Sequence, residues 1–240
     1  DSDWTKDNVS SVIYSWNSCS NVYAAYVSGI SVNGGSRYIP SMQGFWVKAT
    51  NSSPTLKVKS GAMVSNSQTL LRQSSADSVN NVLRLTLDND EIAIHLDPAS
   101  TNTLDSETDA LKFFSPESKI CSSSPLLDLD YAINSVGPGS QVIPIKVRGG
   151  GTLNFSGIAT FFDKYAIYLR DLVSKNYLPV HEGMSYIFSD TSVTTFNERF
   201  EIHFKEKLID TGIQQQFNEE VTVFSTGENI MIRVPEEFQP

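Results

Sequence analysis

Residues 82–96, VLRLTLDNDEIAIHL, decide the fold class of this chain. On both sides of a polar turn at 88–91, every second position is apolar, namely Leu83, Leu85, Leu87, Ile92, Ile94 and Leu96. Because successive side chains of a β-strand point to opposite faces, this period predicts two strands that each bury one face. The polar turn between them predicts a β-hairpin.

The same alternation recurs through the rest of the chain. It is clearest in four further segments, which are residues 127–134, 143–147, 165–169 and 200–204. The apolar spacing that marks an amphipathic helix is nearly absent. Many short strands separated by turn signals predict an all-β protein, built from antiparallel β-sandwich or jelly-roll-like domains.

The chain is expected to divide into five parts. These are a β-rich domain at 1–64, a connector at 65–80, a complete β-sandwich at 81–205, a linker at 206–216 and a final segment at 217–240. The connector is rich in Ser, Asn and Gln, which favour loops. The final segment carries one predicted hairpin, and a lone hairpin is marginally stable.

Composition argues against nucleic acid and a membrane span, and it leaves open whether the two cysteines form a disulfide. The net charge is −9 and the 18 Lys and Arg residues are scattered, which argues against nucleic acid because phosphate binding needs clustered positive charge. No apolar run approaches the ~18 residues of a membrane span, so we predict none. Cys19 and Cys121 form either a long-loop disulfide or two separate thiols.

We predict that the chain is not an enzyme. It contains no zinc-protease, nucleophile-elbow or phosphate-loop motif, and the glycines at 149–151 are predicted to form a turn. His95 and His203 lie opposite the apolar face of alternating strands, which predicts solvent-facing histidines. The enzymatic alternative is part of a secreted polysaccharide hydrolase whose catalytic domain lies upstream.

Acidic residues at alternate positions suggest one metal alternative. Asp105, Glu107 and Asp109 form a D-x-E-x-D pattern, and calcium is bound by six to eight oxygen ligands of this kind. The pattern lacks the glycine turn and distal glutamate of an EF-hand, and acidic turns are usually solvated. We therefore predict no cofactor, with Ca²⁺ at this loop as the alternative.

Aromatic residues are dense near the start of the chain and suggest a ligand-binding surface. Trp46 shares a strand face with Lys48, opposite Phe45 and Val47, so Trp46 is the best candidate for an exposed platform. Trp16 and Tyr38 are the further candidates. Aromatic faces stack on sugar rings, which would make this a carbohydrate-binding module, although sandwich cores use the same residues.

Five segments, in this order, carry a resemblance to a known family. Residues 34–49, GGSRYIPSMQGFWVKA, are similar to its recurring signature GGSRYIPPMQGFFVKA. Weaker similarities are found in residues 4–16 (WTKDNVSSVIYSW), 100–112 (STNTLDSETDALK), 196–204 (FNERFEIHF) and 223–230 (VFSTGENI). The family consists of secreted and cell-surface proteins of the Bacteroidetes that are exported by the type IX secretion system.

The resemblance implies a destination and a set of partners. It implies a secreted or outer-membrane-attached protein in which residues 217–240 begin a type A C-terminal sorting domain. The implied partners are the type IX translocon and attachment machinery, with an extracellular glycan or protein as a further partner of an adhesin-like, structural module. The family's lead-in before Trp4 and the later strands of the sorting domain are missing, so the sequence is expected to be an excerpt cut at both ends.

Overall fold

The computed structural model confirms the all-β fold class. It describes residues 3–65, 79–124, 127–139, 141–161 and 164–207, and the backbone of 222–226 and 229–233. Within these residues the helical structure is limited to 3₁₀ turns at Ser60–Ala62 and Ile158–Phe161. None of the described helices is long and apolar enough to cross a membrane. The chain divides into two compact units, Asp1–Lys207 and Leu208–Pro240.

The first part of the larger unit contributes two small antiparallel sheets. Its strands are β1 (Trp4–Asp7), β2 (Ile13–Asn17), β3 (Val22–Val27), β4 (Ile30–Val32), β5 (Phe45–Trp46) and β6 (Thr55–Val58). Strands β1 and β6 pair with each other, and the other four form a sheet in the order β4-β3-β2-β5. We call this four-stranded sheet the N-terminal sheet.

The rest of the larger unit is one large sheet. Its strands are β7 (Val82–Leu87), β8 (Asp90–Leu96), β9 (Ala110–Leu111), β10 (Ile120–Ser124), β11 (Leu129–Val136), β12 (Gln141–Val147), β13 (Gly151–Ser156), β14 (Tyr165–Asp171), β15 (Tyr177–Pro179), β16 (Ser185–Phe188) and β17 (Asn197–Glu206). Their order is β15-β14-β17-β12-β10-β11-β8-β7-β13-β16, with β9 beside β11.

The predicted hairpin at 82–96 is present as β7 and β8. Leu87 pairs with Asp90, so the connection has only two residues, and Asp88 adopts a φ of 55° there. Asp and Asn tolerate this left-handed conformation better than most residues do. One feature differs from the antiparallel prediction, since β8 and β11 run parallel and make the large sheet mixed.

The large sheet curls into a half-barrel around a core on its inner face. The core combines the alternating apolar residues of strands that are distant in sequence, including Leu85, Ile94, Ile145, Phe155, Leu169, Phe200 and Ile202. All seven are at most 2% exposed. Burial of large aliphatic and aromatic side chains contributes about 1.5–3 kcal/mol each, so this face dominates the stability of the unit.

A second core lies on the outer face of the same sheet, beneath the N-terminal sheet. Ala93 lies between Ile92 and Ile94 along β8, and it therefore faces away from the half-barrel. Ala93 and Ala132 pack with residues of the N-terminal sheet such as Val27. Small side chains let the two sheets approach closely. Residues from the predicted domains 1–64 and 81–205 thus share one core, and most of the predicted connector, 66–78, lies outside the described residues.

The smaller unit contains the last predicted hairpin. Strands β18 (Thr222–Thr226) and β19 (Asn229–Arg233) are antiparallel, and Thr226 pairs with Asn229. The predicted linker 206–216 begins at the end of β17, and from residue 208 it lies outside the described residues.

Candidate ligand-binding surface

Trp16, Tyr23 and Trp46 form an aromatic cluster on one face of the N-terminal sheet. Trp16 in β2 is paired with Tyr23 in β3. Trp46 in β5 is paired with Tyr14 in β2, which places its ring on the same face. The ring centroids of Trp16 and Tyr23 are 5.1 Å apart, and those of Tyr23 and Trp46 are 5.5 Å apart, both edge to face. Trp46 is 45% exposed, as the strand alternation predicted, and Trp16 is half-buried.

The cluster is anchored to the large sheet through Phe113. The Phe113 ring stacks on Tyr14 at 4.0 Å and contacts Tyr23 edge-on at 5.6 Å. Tyr14 is 2% exposed, and burial raises the pKa of its hydroxyl group. Ring contacts therefore connect the buried Tyr14 to the exposed Trp46 through Phe113 and Tyr23. Such aromatic contacts are worth about 0.5–1.5 kcal/mol each beyond their burial.

Tyr38, the third predicted ligand-binding residue, stands apart from this cluster. Its ring is half-buried, and the guanidinium carbon of Arg37 lies 4.8 Å from the ring centroid. Among the described ring contacts, none joins Tyr38 to Trp16 or Trp46. The structure therefore brings two of the three predicted residues together around Tyr23. Tyr23 carried no distinguishing signal in the sequence, because its part in the cluster depends on the pairing of β2 with β3.

The acidic loop 105–109 has a different arrangement from an open cation site. Asp109 is buried, and its two carboxylate oxygens accept hydrogen bonds from the amides of Asp105, at 2.8 Å, and Ser135, at 2.7 Å. Burial raises the pKa of Asp109 to about 6. The side chain of Glu107 accepts a hydrogen bond from the Ser11 hydroxyl group. Across the described parts of the chain, no group of three or more His, Cys, Asp or Glu residues is arranged to hold a metal ion.

The same loop fastens the N-terminal region to the large sheet. The carbonyl oxygen of Ser106 accepts hydrogen bonds from the Ser10 hydroxyl group at 2.8 Å and from the Ser11 amide at 3.0 Å. The carbonyl oxygen of Glu107 accepts one from the Ser28 hydroxyl group at 2.6 Å. Asp109 also binds the amides of Asp105, within the loop, and Ser135, in β11. The D-x-E-x-D segment therefore has a structural role in this fold.

The prediction of a solvent-facing His95 was wrong. His95 does lie on the outer face of β8, opposite the apolar core, but it is only 9% exposed, because the N-terminal region and residues 79–81 cover that face. Its Nδ1 atom lies 3.5 Å from the hydroxyl oxygen of Ser135. The Ser135 hydroxyl group donates to the carbonyl oxygen of Thr108 at 3.1 Å, and Asp109 binds the Ser135 amide. This geometry differs from a catalytic triad, in which the acid orients the histidine.

His203 and the two cysteines are further candidates for reactive groups. His203 is half-buried, and its Nε2 atom lies 2.9 Å from Glu201 Oε2. Cys19 is exposed, Cys121 is buried, and both are free thiols. Of the two predicted alternatives, the structure therefore contains two separate thiols and not a disulfide. Burial raises the pKa of the Cys121 thiol, which disfavours the reactive thiolate.

Sequence reasoning missed a buried polar cluster around Asp90. Asp90 is 1% exposed and forms an ion pair with Lys112, while its Oδ1 atom also accepts a hydrogen bond from the Asn33 side chain at 2.9 Å. Asn33 accepts a further hydrogen bond from the amide of Glu91 at 2.7 Å. Residues 88–91 had been predicted to form a polar turn, and nothing in the sequence near Asp90 indicated that Lys112 would pair with it.

Comparisons with protein families, with curated proteins and with solved structures find no match to this chain.

Proposed function

We propose that the chain is a non-catalytic structural and adhesive module of a secreted cell-surface protein, followed by a type IX secretion sorting signal. The observation that carries the proposal is the division of the chain at Lys207 and Leu208. It falls one residue after β17, whose sequence resembles the segment that precedes the sorting domain in the type IX family.

The packing of residues 3–207 supports a rigid spacer. The N-terminal sheet shares a core with β7, β8 and β11, and the hydrogen bonds of Asn33 and the 105–109 loop cross the same junction. A module with this continuous core would act as a rigid connection between an attached domain and the end of β17. The hairpin formed by β18 and β19 lies in a separate compact unit, where the translocon would engage it.

The test is export after removal of the tail. In a host with a type IX system, the secreted protein deleted from Leu208 onward is compared with the intact protein by cell fractionation. We expect the truncated protein to accumulate in the periplasm, while the matched variant Trp46→Ala, altered far from the tail in sequence, is exported normally. Normal export of the truncated protein would contradict the proposal.

A second proposed function is carbohydrate binding through Trp16, Tyr23 and Trp46. Its support is the 45% exposure of Trp46, whose ring contacts Tyr23 and through it the buried Phe113–Tyr14 stack. Exposed aromatic faces next to polar groups stack on sugar rings, and the exposed Lys48 follows Trp46 by two residues, just beyond the end of β5.

A glycan array separates this function from a purely structural one. The intact chain is expected to bind at least one glycan, and Trp46→Ala should weaken that binding about tenfold, equivalent to about 1.4 kcal/mol. Tyr177→Ala is the matched control, because Tyr177 is similarly exposed at 41% but belongs to β15. The absence of binding by the intact chain removes the carbohydrate proposal and leaves the structural one.

The non-catalytic part of the proposal has its own test. The hydroxyl group of Ser135 is directed to a carbonyl oxygen, and both oxygens of Asp109 are occupied by backbone amides. Neither group is poised as a nucleophile or as a general base. Hydrolysis of a polysaccharide panel by the chain, abolished in Asp105→Asn or Asp109→Asn, would contradict this part.

A further inference from the structure

Three buried side chains of complementary reactivity meet at the junction of the two sheets. They are the amine of Lys112, the carboxyl group of Asp90 and the carboxamide of Asn33, which are 6%, 1% and 7% exposed. Asn33 directly follows β4, Asp90 begins β8, and Lys112 directly follows β9. Lys and Asp are almost never fully buried unless they are paired, and here an amide group joins the pair. The three groups are a nucleophile, a proton carrier and an electrophile.

One oxygen atom of Asp90 joins the amine to the amide. Its Oδ1 atom accepts hydrogen bonds from Lys112 Nζ at 2.5 Å and from Asn33 Nδ2 at 2.9 Å. Its Oδ2 atom is held by the backbone amides of Lys119 and Ile120. The carboxyl group is therefore fixed, and the two nitrogen atoms are neighbours on a single acceptor. Such proximity is what turns a slow reaction between separate molecules into a feasible intramolecular one.

The carboxamide of Asn33 is oriented and polarised for attack by an amine. Its Oδ1 atom accepts a hydrogen bond from the Glu91 amide at 2.7 Å, and its Nδ2 atom donates to the Tyr23 carbonyl oxygen at 2.9 Å as well as to Asp90. A backbone amide at the carbonyl oxygen stabilises the negative charge that develops there when a nucleophile adds to the carbon atom. The nitrogen that would leave is bound to the group that can give it a proton.

We propose that Lys112 and Asn33 form an intramolecular isopeptide bond in the folded chain, with Asp90 as the proton carrier. Asp90 Oδ1 accepts a proton from the Lys112 ammonium group, and the neutral amine then attacks Cγ of Asn33. The Nζ–Cγ bond forms and the Cγ–Nδ2 bond breaks. Asp90 passes two protons in turn from Nζ to the departing nitrogen, which leaves as an ammonium ion, so the Asp90 carboxylate is regenerated. The ion pair is thus the reactant state, and the reaction requires neither an oxidant nor another co-reactant.

The bond would join the N-terminal sheet covalently to the large sheet. These sheets already share a core, and the new link would connect residues that are distant in sequence. A covalent link of this kind restricts the unfolded chain as a disulfide does, but it resists reduction. The inference goes beyond the proposed function, since the reaction requires only the folded chain and is independent of export.

The test is mass spectrometry of the purified intact chain after incubation at neutral pH, followed by protease digestion. We expect the protein to be lighter than its sequence by one ammonia molecule, and the digest to contain a branched peptide that joins Lys112 to Asn33. An unchanged mass would overturn the proposal. Loss of one water molecule, which indicates a bond between Lys112 and Asp90, would also overturn it. So would loss of ammonia without a branched peptide, which indicates a succinimide at Asn33 and Gly34.

Three variants test the role of each group. Lys112→Arg keeps the positive charge but removes the amine nucleophile, so it should retain its full mass. Asp90→Asn keeps the nucleophile and the electrophile but removes the proton carrier, so bond formation should be slower by about 100-fold or more. Lys119→Arg is the matched control, because Lys119 forms an exposed pair with Asp88, and it should lose ammonia as the wild type does. Loss of ammonia by Lys112→Arg, or a wild-type rate in Asp90→Asn, would overturn the assignment.

Discussion

The ammonium group of Lys112 lies 2.5 Å from a carboxylate oxygen of Asp90, with 1% and 0% of the respective side chains exposed. The second oxygen of Asp90 accepts hydrogen bonds from the amides of Lys119 and Ile120, at 2.8 and 3.2 Å. Together with Asn33, these donors satisfy a buried carboxylate at the junction of the N-terminal sheet and the large sheet. A buried pair with such additional hydrogen bonds constrains how the two sheets are joined.

Breaking this pair should be strongly destabilising. Lys112→Met leaves the Asp90 carboxylate buried without its cation, so we expect the free energy of unfolding to fall by about 3–5 kcal/mol in urea denaturation. The exposed pair of Lys119 and Asp88, with 33% and 43% of the side chains exposed, is the matched control. Lys119→Met should cost less than about 1 kcal/mol, and equal effects of the two variants would contradict the role of burial.

Two glycines in the segment 34–49 should respond in opposite ways to the same substitution. A Cβ atom on Gly35 would lie 2.1 Å from the carbonyl oxygen of Ala25, whereas one on Gly44 would have no atom within 4 Å. We expect Gly35→Ala to lower the free energy of unfolding by about 1–3 kcal/mol, or to prevent folding, because the β3 backbone must move. Gly44→Ala should stay within about 0.5 kcal/mol of the wild type. The stabilities of the two variants are compared by thermal unfolding. A Gly35→Ala protein as stable as the wild type would contradict the close approach of Gly35 to the carbonyl oxygen of Ala25.

Arg199 and Asp171 form a second buried pair, which gives the FNERF segment a structural role. Two guanidinium nitrogens of Arg199 each donate to a different oxygen of Asp171 at 3.1 Å, and the Tyr186 hydroxyl group donates at 2.9 Å. Burial alone would raise the pKa of Asp171, but these hydrogen bonds and that of the Val173 amide lower it to about 2.

The pair should make stability depend on pH in the acid range. Because the folded-state pKa of Asp171 lies below its ordinary value of 3.8, the stabilisation is present above pH 4 and is lost as pH falls toward 2. Asp171→Asn should cost about 3 kcal/mol at pH 7, and its difference from the wild type should shrink below pH 4. Glu201→Gln, which affects the more exposed pair with Arg170, is the control. A constant difference between pH 7 and pH 2 would refute this assignment.

Asp109 should produce the opposite dependence on pH. Burial raises its folded-state pKa from 3.8 to about 6, so the folded chain binds this proton more tightly than the unfolded chain does. The stabilisation is fully present below pH 4 and is lost as pH rises through 6, by about 3 kcal/mol at about 1.4 kcal/mol per pKa unit. Asp109→Asn cannot titrate, so the stability of the wild type relative to it should fall between pH 4 and pH 7. A rise over that interval would contradict the buried environment of Asp109.

The alternation of residues 82–96 was enough to predict the hairpin and its buried face, because that period belongs to each strand alone. It could not reveal that β8 pairs with β11 in parallel, since strand partners depend on contacts that are distant in sequence. For the same reason the pattern placed His95 on the outer face of its strand but could not show that another sheet covers that face. Ala93 was the relevant clue, since a small residue opposite a large apolar face favours close sheet packing.

The candidate ligand-binding surface was likewise predictable only in part. The exposure of Trp46 was predictable from its neighbours in β5, but its contact with Tyr23 depends on two strand pairings. Asp90 was predicted only as part of a polar turn because its partner Lys112 is 22 residues away in the chain.

The central claim is that the region beginning at Leu208 directs the protein out of the cell while residues 1–207 form an independent module. The most direct measurement is the location of a periplasmic reporter protein to which the C-terminal region of the full-length protein, from Leu208 onward, has been fused, in a host with a type IX system. We expect the fused reporter to reach the cell surface or the medium, where it becomes accessible to protease added to intact cells. Retention of that reporter in the periplasm, under conditions in which the full-length protein is exported, would contradict it.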